Sequence, residues 1–387
     1  MAPASLRKSS IAVYCFRSSD SSRDVLVTGL GLVTPLGATS SETWSRLLQG
    51  DCAARALTAG EIDGYAGLAD FSGLQLHGAP GPLDAASQSV VASGLLTGHD
   101  RTVTDAWMSE PSIAMALAAL QEAIAASQWD AGQLRSISPA VVFGSSKPGM
   151  RSVRRHPEHL QVAGVDSATR AVATVLGTHG IVRCPVAACA TGLIAVLQGA
   201  AMVHSGACDV CIAGSSDAAL TAAVLASFHR LRVTSRAATA ATACRPFDRD
   251  RDGFVIGEGA AVLVLESRAS VVRRQVRALA QVAGGGWVTD PTGITQIDES
   301  GRFVTGLLQR TLPSGFLPDL IGLHGTGTIS NDRAEAAGLA QFDPRLCDVP
   351  CFGVKGALGH LLGAAGSVET GVLLMALQNG IVPPTTN

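Results

Sequence analysis

Apolar positions along the chain fall into two alternating kinds of run. Short β-branched stretches predict strands at Val25–Thr28, Ala140–Phe143, Val210–Gly214, Phe254–Gly257, Ala261–Leu265, Leu279–Val282, Leu320–His324 and Cys351–Val354. Between them, Ala- and Leu-rich stretches with helical spacing predict helices over Glu42–Leu48, Glu110–Ser127, Ala168–Leu176, Gly192–Val203, Phe303–Leu312, Arg333–Gln341 and Gly366–Gln378. Strands covered in this way by helices are the pattern of a layered α/β fold. From Ala53 to Arg101 the periodicity is weak and Gly, Ala and Asp dominate, which predicts an irregular excursion with short helices. No Pro- and Ser-rich linker divides the chain. A division near Glu266–Gln275 would separate two halves, residues 24–265 and 266–387, although no internal repeat is visible by direct comparison.

Composition narrows the class. A chain of 387 residues that is 47% hydrophobic can bury a large core. Charged residues make up only 16%, the formal net charge is −2, and no run of Lys or Arg exceeds two, so no nucleic-acid partner is expected. Forty-three glycines and 4% aromatics suit tight strand-to-helix turns and closely packed helices, as in an α/β enzyme. The nine cysteines are scattered, which predicts reduced and mostly buried thiols. Cys208 and Cys211 are read as lying on one strand and facing opposite sides, and Cys347 and Cys351 as core residues; no metal site is expected. No segment reaches the roughly 18 uninterrupted apolar residues of a membrane span. Residues 1–23, with Arg7, Lys8, Arg17 and Arg23 against the single acidic Asp20, read as a disordered or leader-like extension. A cytoplasmic location is the expectation, with an organellar leader as the alternative.

Candidate chemistry gathers at element boundaries. Val186-Ala187-Ala188-Cys189-Ala190-Thr191-Gly192 leads into a helix, placing Cys189 where free amide N–H groups and the positive helix end favour a thiolate and can receive an oxyanion. Taken alone, a cysteine beginning a helix is more often a small core residue. Gly322-Leu323-His324-Gly325-Thr326-Gly327-Thr328 puts a histidine at a strand end among small residues, where ligands gather in α/β folds. The run from Gly353 to Gly366 sets Lys355 and His360 among five glycines. Nucleophile, two histidines and a lysine, each at a boundary, are hard to dismiss together.

With these motifs the chain resembles the β-ketoacyl synthases, the elongating condensing enzymes of fatty-acid and polyketide synthesis in the thiolase-like superfamily. The likeness runs from Asp24-Val25-Leu26-Val27-Thr28-Gly29-Leu30-Gly31 through Arg245-Pro246-Phe247-Asp248-Arg249-Asp250-Arg251-Asp252-Gly253-Phe254 to the last residue. It implies a five-layered αβαβα fold of two similar halves. It implies Cys189 as acylated nucleophile, His324 and His360 as stabilisers of the enolate formed when a malonyl thioester loses carbon dioxide, and Lys355 with Glu369 as an electrostatic pair. Glu335 matches a second, structural carboxylate, and Thr326 and Thr328 fall where the family holds the pantetheine arm. Substrates would arrive on the phosphopantetheine arm of acyl carrier protein, with no other cofactor, and a homodimer is implied. The family's pattern continues past a helix like Gly366–Gln378 with an Asn-Ser-Phe-Gly-Phe-Gly-Gly turn between closing strands, whereas this sequence ends at Asn387, so a second half lacking those strands is expected. The stretch from Gly149 to Cys184 is shorter than its family counterpart. The alternatives are a catalytically impaired partner subunit of the chain-length-factor kind, an incomplete gene product, or a thiolase. A thiolase would use a Cys–His–Cys arrangement, and the paired histidines favour the decarboxylating group. His77, His99, His156, His159, His179, His204 and His229 match no motif and read as surface or structural residues.

Overall fold

In the computed structural model the residues described are 11–16, 20–57, 77–147, 149, 151, 157–293 and 296–387. The strands are β1 Ile11–Cys15, β2 Val25–Val33, β3 Arg55–Ala56, β4 His77–Ala79, β5 Ala140–Gly144, β6 Val182–Arg183, β7 Val210–Asp217, β8 Ile256–Gly257, β9 Gly259–Ser267, β10 Ala280–Val282, β11 Gly284–Val288, β12 Ile321–Gly322 and β13 Cys351–Phe352.

A six-stranded sheet in the order β10-β2-β9-β7-β5-β6 forms the frame. Strands β7, β5 and β6 run parallel, while β9 is antiparallel to both β7 and β2. Every residue of β2, β5, β7 and β9 is buried, which explains their near-continuous apolar sequences: both faces are covered by helices. Helices Pro111–Ala126 and Ser167–Leu176 pack on one face. Helices Thr191–His204 and Ala365–Asn379 pack on the other. Gly29 and Gly31 let Pro111–Ala126 close onto β2, since a Cβ at either would strike the carbonyl oxygens of Ala123 and Ala119. Beyond Ala365–Asn379 lie the parallel pair β12–β13 and the helices Arg302–Thr311 and Ile329–Phe342, completing a five-layered αβαβα arrangement.

The seven helices expected from periodicity are present to within four residues at each end. Six further helices among the described residues, Leu83–Ala92, Arg101–Ser109, Ala131–Ile137, Ala222–Arg230, Arg268–Arg274 and Lys355–Leu358, are short, so periodicity missed them. Four of them carry an N-cap signal, Asp100, Asp130, Thr221 and Ser267 accepting from first-turn N–H groups. Leu83–Ala92 falls in the stretch expected to hold short helices, and residues 58–76 of that stretch lie outside the described residues.

Other readings are corrected. Part of the segment taken as an extension is structured: β1 pairs antiparallel along all of β11, because the open edge of β11 accepts the backbone of Ile11–Cys15. The strands expected at Leu320–His324 and Cys351–Val354 shrink to two residues each, having only one another as partners among the described residues. In consequence Cys351, on that edge, is exposed, and so is Cys347 in the turn Pro344–Asp348 before it. Cys208 lies before β7 rather than in it, and its thiol hydrogen-bonds with Cys211. That contact holds Cys208 below the ordinary thiol range and pushes Cys211 well above it. No group of three or more His, Cys, Asp or Glu among the described residues could hold a metal ion, and no helix among them is long and apolar enough to cross a membrane.

Candidate active site

Cys189 sits in the tight turn Ala188–Ala190 that opens helix Thr191–His204, with Ala188 in the left-handed region at φ 49°. The Thr191 hydroxyl closes the turn, accepting from Ala187 N–H at 2.8 Å and donating to Ala188 O at 2.8 Å. Helix Ala365–Asn379 starts beside it, and the two helix starts touch through glycine. A Cβ at Gly192 would lie 2.5 Å from Ser367 N, and one at Gly366 would lie 2.6 Å from Leu193 N. Only glycine permits this approach, which brings the loop ahead of each helix to the same point.

The loop ahead of Ala365–Asn379 carries His360. Its backbone is pinned by His360 N–H to Val255 O at 2.6 Å and by Gly257 N–H to His360 O at 3.0 Å. Its Nε2 lies 3.0 Å from Cys189 Sγ. The ring is buried, stands edge-on to Phe254 at 5.0 Å and to His324 at 5.4 Å, and its Nδ1 has no hydrogen-bond partner among the described residues. Burial first, then the neighbouring Lys355, His324 and Lys147 side chains, hold its pKa well below the ordinary 6.5, so the ring is neutral at pH 7.

Burial likewise pushes the Cys189 thiol above its ordinary value, and the ammonium groups of Lys355 and Lys147 only partly oppose it. Cys189 therefore rests as a thiol, against the thiolate that a helix start alone favours. A neutral imidazole at 3.0 Å can take the thiol proton as the sulfur attacks, or can donate to the sulfur once a proton is on Nε2.

His324 follows β12 and is held by its backbone. Glu335 accepts His324 N–H at 2.7 Å and Gly325 N–H at 2.9 Å. Lys355 Nζ donates to His324 O at 2.5 Å, meets His324 Nδ1 at 3.0 Å, and pairs with Glu369 Oε1. An ammonium has no lone pair, so His324 Nδ1 must accept, and the ring proton stays on Nε2 as a donor. Burial pushes Glu369 up, but Lys355 and His324 together hold it below the ordinary carboxylate range. Lys355 is fully buried, at 1% exposure, and so is a fixed charge.

Thr326 and Thr328 share a hydrogen bond of 2.8 Å between their hydroxyls. Thr328 lines a cavity of about 560 Å³ together with Arg232, Asp252, Thr292 and Gln296; Thr326, behind it, is buried. The structure thus brings Cys189, His324, His360, Lys355, Glu335 and Glu369 into one cluster, with the two threonines beside the cavity.

Sequence reasoning missed several residues here. Asp332, buried, accepts Gly327 N–H at 3.2 Å and Phe247 N–H at 2.8 Å, tying the turn after His324 to the Arg245–Phe254 run. Asp217, buried at the end of β7, accepts Ser145 Oγ at 3.2 Å, Gly363 N–H at 2.8 Å and the Ser146 hydroxyl. Its signal was a carboxylate closing an otherwise uncharged strand. Lys147 had no signal, standing alone in a loop.

The chain is similar to known proteins along its length. Residues 22–270 match the family description "Beta-ketoacyl synthase, N-terminal domain" and residues 280–387 match "Beta-ketoacyl synthase, C-terminal domain". The chain is 32% identical over 424 residues to "3-oxoacyl-[acyl-carrier-protein] synthase, mitochondrial" of Arabidopsis thaliana, an alignment covering 100% of this chain and 90% of that one. It is 37% identical over 227 residues to the "Tetracenomycin polyketide synthase ketoacyl synthase alpha subunit" of Streptomyces glaucescens, covering 57% of this chain and 53% of that one. Among solved structures, "The ishigamide ketosynthase/chain length factor" is 25% identical with a TM-score of 0.76, covering 94% of this chain and 88% of that one. The fold is thus the α/β thiolase-like fold expected from the motifs.

Proposed function

Because this chain belongs to the β-ketoacyl synthase family, acyltransferases of fatty-acid or polyketide synthesis, we propose that it joins acyl units by decarboxylative Claisen condensation with Cys189 as nucleophile. Cys189 Sγ attacks the carbonyl of an acyl thioester as its proton passes to His360, and the carrier sulfur leaves as a thiol with the proton that His360 returns, so the acyl group is bound to Cys189. A malonyl thioester then loses carbon dioxide, and the electron pair left on its α-carbon is delocalised to the thioester oxygen. His324 Nε2–H and His360 donate to that oxygen, with Lys355 fixing the His324 tautomer. The α-carbon attacks the Cys189 thioester carbonyl, forming the carbon–carbon bond and expelling the cysteine sulfur.

The observation that carries this reading is His360 Nε2 at 3.0 Å from Cys189 Sγ, with the His324 ring 5.4 Å from that of His360. One carbonyl group can then meet the sulfur and both rings. Thr328, bonded to Thr326 in the loop that carries His324, also lines a cavity of mixed polar and apolar side chains, which supports an approach of the pantetheine arm of an acyl carrier protein from that side. Ile181, Val182 and Val186, exposed at 44%, 43% and 56% along the open edge β6, support a homodimer, because a second copy would cover them and pair that edge. Retention of the Cys189–His360 contact favours this reading over a non-catalytic partner subunit.

Intact-protein mass after incubation with an acyl-carrier thioester tests it. The mass rises by one acyl group, and peptide mapping puts that group on Cys189. Acylation elsewhere, or none, rejects the proposed nucleophile.

A further inference from the structure

Lys147 is a cation at the site that the reaction above does not use. Its Nζ reaches Ser146 O at 3.4 Å and Ser146 Oγ at 3.2 Å, both long contacts, and lies 5.8 Å from the centre of the Phe228 ring. Phe228 stands edge-on to Phe254 at 5.8 Å, and Phe254 stands edge-on to His360, the partner of Cys189. Cys189 and Phe228 pack on one apolar cluster that includes Leu220, Leu225, Phe254 and Leu362. The ammonium therefore borders the apolar surroundings of the thiol, and its charge is felt by both Cys189 and His360.

No carboxylate among the described residues meets that ammonium directly; the nearest influence is on Asp217, whose carboxyl the Lys147 charge lowers against the effect of burial. Among the described residues no ion pair reaches Lys147, and Asp217 is engaged by Ser145, Ser146 and Gly363 N–H. The Ser146 hydroxyl stands between acid and ammonium. Two long hydrogen bonds and one aromatic face leave a half-buried ammonium relying on water for the rest of its solvation. A saturated acyl chain laid against it displaces that water and returns no hydrogen bond. A chain with a keto or carboxylate oxygen supplies an acceptor in its place.

Resting on the acyl-enzyme reading above, we propose that Lys147 determines which acyl group Cys189 accepts, favouring chains that carry carbonyl or carboxylate oxygens close to the thioester over saturated alkyl chains. The residue acts on selection, while the bond making remains with Cys189 and the two histidines.

The test is a competition in one tube between acetoacetyl and butyryl thioesters of N-acetylcysteamine, which match in carbon count and differ by the keto oxygen. The ratio of the two acyl-enzymes is read by intact mass. Relative to the wild-type chain, Lys147→Met and Lys147→Gln lower the acetoacetyl-to-butyryl ratio by about tenfold or more, while Lys147→Arg keeps it within about threefold. A ratio taken within one sample does not depend on the fraction folded, and the glutamine variant provides the reading if the methionine variant fails to fold. An unchanged ratio in both neutral variants overturns the role of Lys147 and leaves the acyl-enzyme reading intact. Loading of neither thioester by the wild-type chain, or equal loading of Cys189→Ser, overturns the acyl-enzyme reading and this inference with it.

Discussion

The two sides of the site are anchored by different physics. Cys189 opens a helix that lies on β5, β7 and β9, strands buried along their whole lengths, so packing holds the sulfur in place. His324 follows β12, a strand of two residues, one half-buried and one exposed, and is held by polar contacts instead: Glu335 on two N–H groups and Lys355 on its carbonyl and ring. A packed frame tolerates loss of a single hydrogen bond, whereas a frame made of a few polar contacts does not. The sulfur side should therefore fail only when its chemistry is removed, and the His324 side when its supports are.

The largest effect tests the first half of that contrast. Cys189→Ser reduces acyl loading by about 10⁴-fold or more while leaving thermal unfolding close to wild type, because the packed frame survives and only the nucleophile changes. Substantial loading by the serine variant would remove the sulfur side from the chemistry. Next comes Lys355→Ala, which frees the His324 tautomer and leaves Glu369 without its ammonium partner. Malonyl decarboxylation, followed as released carbon dioxide, falls by about 100-fold or more, and acyl loading falls less. An equal fall in both would mean that Lys355 supports the whole site rather than its His324 side.

Glu335→Ala sharpens the comparison further, since it touches neither ring. It leaves two N–H groups beside His324 without their acceptor, at a cost of about 1–3 kcal/mol by urea unfolding, and lowers decarboxylation more than loading. A loss confined to stability would make Glu335 purely structural. The smallest effect is a pH dependence. His360 is neutral in the folded chain well below the ordinary 6.5, while in the unfolded chain it titrates near that value. As pH falls below 6.5, the unfolded chain takes up a proton that the folded chain refuses, so acidification destabilises the fold. The slope reaches about 1.4 kcal/mol per pH unit, and stability returns as pH rises. His360→Gln removes this contribution, so urea unfolding curves of the two proteins should diverge in slope below neutrality; parallel curves would mean that His360 titrates normally.

Much of the frame was legible because local order announces itself. The helices Glu110–Ser127 and Gly366–Gln378 were read to within a residue from small apolar side chains at helical spacing, and β7 from an unbroken apolar run. The antiparallel pairing of β1 with β11 was not legible, since the two are joined across some 270 residues and no periodicity encodes a distant edge. The shortness of β12 and β13 escaped for the same reason: strand length depends on neighbours, and each has only the other among the described residues. At the site, Cys189, His324, Lys355 and His360 were visible as reactive side chains flanked by small residues at element ends. Lys147 and Asp217 were not, because one stands alone in a loop and the other closes a strand that reads as core.

Glycine placement and residue type were settled in the chain itself: Gly192 and Gly366 allow two helix starts to meet whatever else surrounds them, and the thiol, imidazole and ammonium groups near that meeting point are given by the residue types. The states of those groups were not. Cys189 is a thiol and His360 a neutral base because burial outweighs every nearby charge, and their contact joins positions 171 residues apart. Desolvation and Coulomb energy depend on distances through space rather than along the chain, so they come into being only when the layers close.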